Sequence, residues 1–131
     1  MYVASFLNPL LRETAERYQL LNERTGGIVA GTILTAFDSA TRRTGLLRHG
    51  SLPAGSALII APSNAIHTFF MRFAIDVAFV AKDGRIVKTR EALGPWRLAA
   101  ALRAFAVVEL PAGTLAASGT RAGDRVEVCE R

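Results

Sequence analysis

Three side chains along this chain could carry acid–base or metal chemistry: His67, Asp76 and Glu109. A histidine with two carboxylates suffices for proton transfer or for a divalent cation, provided the fold brings them together. They form no HxH, HxxxH or HExxH spacing, so each also has a structural reading. His67 opens an apolar run and reads more simply as a polar strand cap bonded to backbone. Asp76 sits inside that run and reads as a cross-strand partner of Arg90. Arg72 is a poorer partner, because four residues along a strand span about 13 Å. Glu109 lies between Val108 and Leu110. It pairs with Asp76 if the two carboxylates meet, or with a cation such as Arg43 or Arg97 if it is buried. Pro95-Trp96-Arg97 reads as a recognition lip, with Trp96 stacking on a ligand and Arg97 holding an anion, or as a loop anchored by Trp96.

The candidate ligand-binding residues are therefore His67, Asp76, Trp96, Arg97, Glu109 and Arg43. His49 reads as a surface residue near a helix C-terminus. Cys129 has no CxxC partner or nearby histidine to make it a nucleophile. Ser56, Ser63 and Ser118 lack the GxSxG context, and there is no Walker or GxGxxG loop. No cofactor and no metal site is expected.

The elements that must position these residues come from 131 residues, half of them hydrophobic and 21% charged. That composition excludes a disordered tail, a collagen and a disulfide scaffold. The net charge is +5, with Arg supplying 14 of the 16 basic residues. The arginines are scattered, and no zinc-finger or RNP pattern accompanies them, which disfavours nucleic-acid binding. No stretch approaches the roughly 20 uncharged apolar residues of a membrane span. Residues 1–11 lack the basic n-region and cleavage site of an export signal, so the expected location is the cytoplasm.

Asn8-Pro9 predicts a helix start with Asn8 as N-cap, and residues 1–17 read as a helical extension to a β-rich domain over 18–131. Residues 18–22 and 28–34 predict a hairpin across Gly26-Gly27. Asp38 predicts a helix to about residue 49, which contains Arg43 and Gly45. Residues 57–61 read as a buried strand. Residues 67–81 alternate along an extended chain, with His67, Phe69, Met71, Phe73, Ile75, Val77 and Phe79 on a core face. A bend is expected near Arg72 to Ala74, because one straight strand of that length is unusual. Lys82-Asp83-Gly84 predicts a three-residue hairpin loop with Gly84 at positive φ. That register sets Asp76 opposite Arg90, Phe79 opposite Val87 and Val80 opposite Ile86. Further strands are expected over 104–110 and 125–130, with a helical turn at 114–118. Short strands joined by tight turns predict an antiparallel β-sandwich or partly closed barrel with one or two short helices.

Seven segments also carry a resemblance: residues 42–47, Ile66-His67-Thr68-Phe69-Phe70-Met71-Arg72-Phe73, Ile75-Asp76-Val77, residues 83–87, Pro95-Trp96-Arg97, Glu109-Leu110-Pro111-Ala112-Gly113 and Gly123-Asp124. In this order and spacing they resemble the bacterial and archaeal domain-of-unknown-function 192 family over roughly residues 18–129. The resemblance implies a compact, mostly β, jelly-roll-like domain. It brings no assigned reaction, so no catalytic residue transfers. Ala74 departs from the Phe-Pro-Ile-Asp pattern of many relatives, which softens the expected bend. The functional expectation is a non-enzymatic module that binds a small polar or anionic ligand or a protein partner. The alternative is a small metal-dependent or acid–base hydrolase using His67, Asp76 and Glu109.

Overall fold

A computed structural model describes residues 5–38, 41–42 and 51–131. It is mainly β, with three sheets. A three-stranded sheet has the order β10-β1-β2, and a five-stranded sheet has the order β3-β4-β9-β6-β7. A two-stranded ribbon pairs β5 with β8. The strands are β1 Tyr18–Asn22, β2 Ile28–Ala30, β3 Thr32–Ala36, β4 Ser56–Ile60, β5 Ala65–His67, β6 Ile75–Val80, β7 Ile86–Leu93, β8 Leu98–Ala100, β9 Ala106–Pro111 and β10 Val126–Glu130. Short helices cover Asn8–Arg12 and Thr114–Ser118.

The five-stranded sheet is the middle layer. Every residue of β4 and β6 is buried, and so is β9 up to Pro111. Burial on both faces explains why these strands read as continuous apolar runs rather than alternating ones. One face packs Ile59, Ala78, Val80, Val108 and Leu110 against Leu20, Val126 and Val128 of the three-stranded sheet, and Leu7 and Leu10 of the N-terminal segment join this core. The other face carries Leu58, Ile60, Val77, Phe79 and Val107 and is covered in part by Ile66 and Ala99 of the ribbon. By contrast β1 and β10 alternate in burial, as strands with one solvated face do.

Several local expectations are corrected. Asn8 does not cap its helix: the cap is Leu7, and Asn8 Oδ1 accepts from the Ser5 backbone. The strand expected over 28–34 divides at Gly31. β2 stays beside β1, whereas β3 crosses to the middle sheet and runs parallel to β4. The run 67–81 is two strands, broken over residues 68–74, and β8 is a strand that the sequence did not suggest.

The β6–β7 hairpin keeps Val80 opposite Ile86, and Gly84 takes the positive φ of +92°. A Cβ at Gly84 would collide with the Val126 carbonyl, so this turn can lie against β10 only with glycine there. One residue further in, a bulge between Phe79 and Val80 shifts the ladder. Phe79 therefore faces Lys88, and Val77 rather than Asp76 faces Arg90. The Phe79–Lys88 pairing is tolerated because the ammonium lies 5.9 Å from the Phe79 ring centroid and donates to the Ala100 carbonyl.

Candidate functional site

The two carboxylates point away from each other. Glu109 lies between Leu58 and Val77 in the ladder and shares their face. Asp76 pairs with Leu110 and shares the opposite face, toward the three-stranded sheet. Because side chains alternate along a strand, the middle sheet separates them, and no carboxylate pair forms.

Asp76 is fully buried and fully used. Oδ1 accepts from the Ala92 N–H at 2.8 Å, and Oδ2 accepts from the N–H groups of Gly113 and Leu115 at 3.0 and 2.9 Å. The expected Asp76–Arg90 pair is replaced by three backbone donors. The carboxylate fixes the Gly113 turn and the start of helix Thr114–Ser118, and it holds Ala92 in its positive-φ bulge.

Glu109 is 4% exposed, and its Oε2 has no hydrogen-bond partner among the described residues. Burial among apolar strand neighbours pushes its pKa up to about 7. No ion pair with Arg97 forms: Arg97 is exposed while Glu109 is buried. Arg43 and His49 lie outside the described residues.

A different set of side chains does converge. β5 ends at His67, and the chain turns through 68–71 beside the loop 94–97 that leads into β8. Thr68 is fully buried between them and fastens one loop to the other. Its hydroxyl donates to the Gly94 carbonyl at 2.6 Å and accepts from Arg97 N–H at 2.9 Å. Its N–H donates to the Arg97 carbonyl, and its own carbonyl accepts from Trp96 and Met71 N–H. This clasp presents four rings in one contiguous group. His67 lies 4.9 Å from Phe69, Phe69 stacks at 5.6 Å on Trp96, and Phe70 meets Trp96 edge-on at 4.7 Å. Phe69 N–H donates to His67 Nδ1.

Two of these residues are strained. Phe70 has φ +69° and Trp96 φ +62°, in the left-handed region that bulky side chains avoid. Both are also largely exposed, at 70% and 57%. Strained backbone that holds large aromatic side chains in water is characteristic of a functional surface rather than a core. His67, Trp96 and Arg97 of the expected set lie at this clasp; Asp76 and Glu109 do not. Among the described residues, no three His, Cys, Asp or Glu side chains gather as metal ligands would.

Strict alternation puts Phe69 on the core face and gives Thr68 and Phe70 no role, whereas the chain leaves the extended form over 68–74. One readable signal lay nearby: Phe69 and Phe70 are adjacent, and neighbours on an extended strand cannot both face the core.

The model of the family DUF192, described as an uncharacterized ACR, matches residues 21–128. The chain belongs to the DUF192 family. No curated protein matches it. Two solved structures share the DUF192 chain's fold. One, from Sinorhizobium meliloti 1021 and described as a proposed transcription regulator, has a TM-score of 0.74 and 23% identity, covering 85% of this chain and 91% of its own. The other is a protein of unknown function from Novosphingobium aromaticivorans, with a TM-score of 0.69 and 23% identity, covering 84% of this chain and 82% of its own.

Proposed function

We propose that this DUF192 chain is a non-catalytic binding module whose recognition surface is the clasp bearing His67, Phe69, Phe70, Trp96 and Arg97. The observation that carries the reading is the exposure of Phe70 and Trp96 in left-handed backbone, fastened by the buried Thr68. Such a surface is preorganised: its rings are already fixed, so little side-chain freedom is lost on binding. The ligand class is polar or anionic, because His67 and Arg97 are the charged or chargeable groups on these loops and no carboxylate accompanies them. Asp76 serves as an internal fastener. The hydrolase reading is not favoured, since its two carboxylates face opposite sides of the sheet. The cytoplasm is the proposed location.

Trp96 is the one tryptophan in the chain, so its emission reports on the clasp alone. The test is a fluorescence titration with inorganic phosphate, citrate, a single-stranded oligonucleotide, polyglutamate and anionic vesicles. At least one probe is expected to shift the emission, and Thr68→Val is expected to weaken that response about fivefold or more by loosening the clasp. No response from any probe overturns the reading.

A further inference from the structure

We infer that the outer face of the β5–β8 ribbon, together with the clasp, seats on an anionic lipid surface. This rests on the binding reading above and names its ligand. Among the described residues six large hydrophobic side chains are exposed, and four belong to this one unit: Phe70 at 70%, Trp96 at 57%, Leu98 at 68% and Leu102 at 91%. The register explains the concentration. Ile66 pairs with Ala99 and both turn inward onto the second core, so the flanking pairs Ala65–Ala100 and His67–Leu98 turn outward. The outward strip therefore runs from Phe70 and Trp96 at the clasp, past Leu98 and Ala100, to Leu102 beyond the end of β8.

Charge selects the occupant. Residues 61–75 and 94–108, which build the ribbon and its ends, contain no Asp or Glu. They contain Arg72, Arg97 and Arg103, all exposed. An apolar strip with an arginine rim and an interfacial tryptophan matches the boundary between headgroups and acyl chains. There the long arginine side chains reach phosphates while the apolar tips enter the hydrocarbon edge. A second copy of the chain fits badly, because it would set three arginines against three. Nucleic acid also fits less well: the rings already pack on one another, and the strip beyond them offers alanine and leucine methyls rather than base-reading groups. The ribbon would lie on the surface and not cross it, because its strands have three residues each and a spanning strand needs about 9–11.

The test is co-sedimentation and Trp96 fluorescence with vesicles of phosphatidylcholine alone and of phosphatidylcholine doped with phosphatidylglycerol. The full chain should sediment with the doped vesicles only, with a blue-shifted Trp96 emission that fades as salt is raised. Leu98→Ser with Leu102→Ser should cut partitioning about tenfold. Replacing Arg72, Arg97 and Arg103 by Gln should cut it about a hundredfold at low salt. Both leucines are exposed, so unchanged melting would show that the fold is intact. Failure to sediment with doped vesicles overturns the proposal, as does binding insensitive to the leucine pair. If vesicles fail while polyglutamate or the oligonucleotide still shifts Trp96, the lipid assignment falls and the binding reading stands. If no probe shifts Trp96, both fall.

Discussion

Asp76 and Glu109 are buried carboxylates on adjacent strands of one sheet, and they face opposite ways with opposite fates. Asp76 meets a turn and a bulge whose N–H groups converge on it, and both of its oxygens are satisfied. Glu109 meets Leu58 and Val77, and its Oε2 meets no donor among the described residues. Both are carboxylic acids and both are buried; what differs is the backbone supplied by the covering layer. The face toward the three-stranded sheet holds Asp76 with both of its oxygens paired. The face toward the ribbon holds the unsatisfied acid, and the two strained aromatics stand in the layer over it. Function is expected on the second face, where local rules are broken without a compensating contact among the described residues.

The contrast is broken most directly at Asp76. Asp76→Ala strands three backbone donors and should cost about 4 kcal/mol in urea unfolding. A loss under about 1 kcal/mol would show that the face toward the three-stranded sheet does not depend on this carboxylate.

Glu109 should behave in the opposite sense. Its folded pKa is raised, so the folded chain holds a proton that the unfolded chain has released. Stability therefore falls as pH rises from 4.5 to about 7, by about 3 kcal/mol, and then levels off. Glu109→Gln should remove this slope. It should be more stable than the parent by up to about 3 kcal/mol near pH 8 and about equal to it near pH 4.

A third carboxylate shapes the acid limb. Asp124 accepts from Arg24 Nε at 2.6 Å, from Asn22 Nδ2 at 2.9 Å and from Arg121 N–H at 3.0 Å. The Arg24 guanidinium, followed by Asn22, holds it well below the usual carboxylate range. Its contribution is present above the ordinary aspartate pKa and is lost as pH falls below it. Asp124→Asn should flatten the acid side of a stability–pH profile and leave the Glu109 slope intact.

Smaller effects sharpen the picture on the ribbon side. Thr68→Val removes the hydroxyl that joins Gly94 to Arg97 and should cost about 1–2 kcal/mol. It should also make Trp96 more accessible to acrylamide quenching. Trp96→Ala should change unfolding stability by only about 0.5 kcal/mol, because the ring lies mostly in water. A large loss there would identify Trp96 as an anchor of the fold rather than a recognition group.

Much of the middle layer is legible in the sequence. The runs at 57–61, 75–80 and 106–110 are apolar because both faces are covered, and Gly84 marks its turn for steric reasons. The resemblance drawn from ordered motifs over 18–129 matches the family assignment over 21–128. The register of Asp76 was not legible. It depends on the bulge between Phe79 and Val80, a one-residue irregularity that is accompanied by Lys88 reaching over Phe79 to Ala100. That contact needs the ribbon, which a strand-by-strand reading does not assemble. The clasp was half legible: Trp96 and Arg97 stood out, whereas Thr68 and Phe70 were absorbed into an alternating pattern that the chain breaks over 68–74. Gly31 gave no sign that one strand would be divided between two sheets.

The pairing of β1 with β10 has a consequence for how the chain acquires its shape. Asn22 and Asp124, joined through a hydrogen bond, are separated by 102 positions. β1 can pair early with β2, but the three-stranded layer cannot close until residues 126–130 have left the ribosome, so the other edge of β1 waits through the synthesis of nearly everything between. Contacts of such long sequence separation slow folding. The middle layer, assembled from the hairpin at Gly84 and its neighbours, is the natural first structure. The first strand made is then among the last to be completed, and during that interval its open edge is available for wrong pairing.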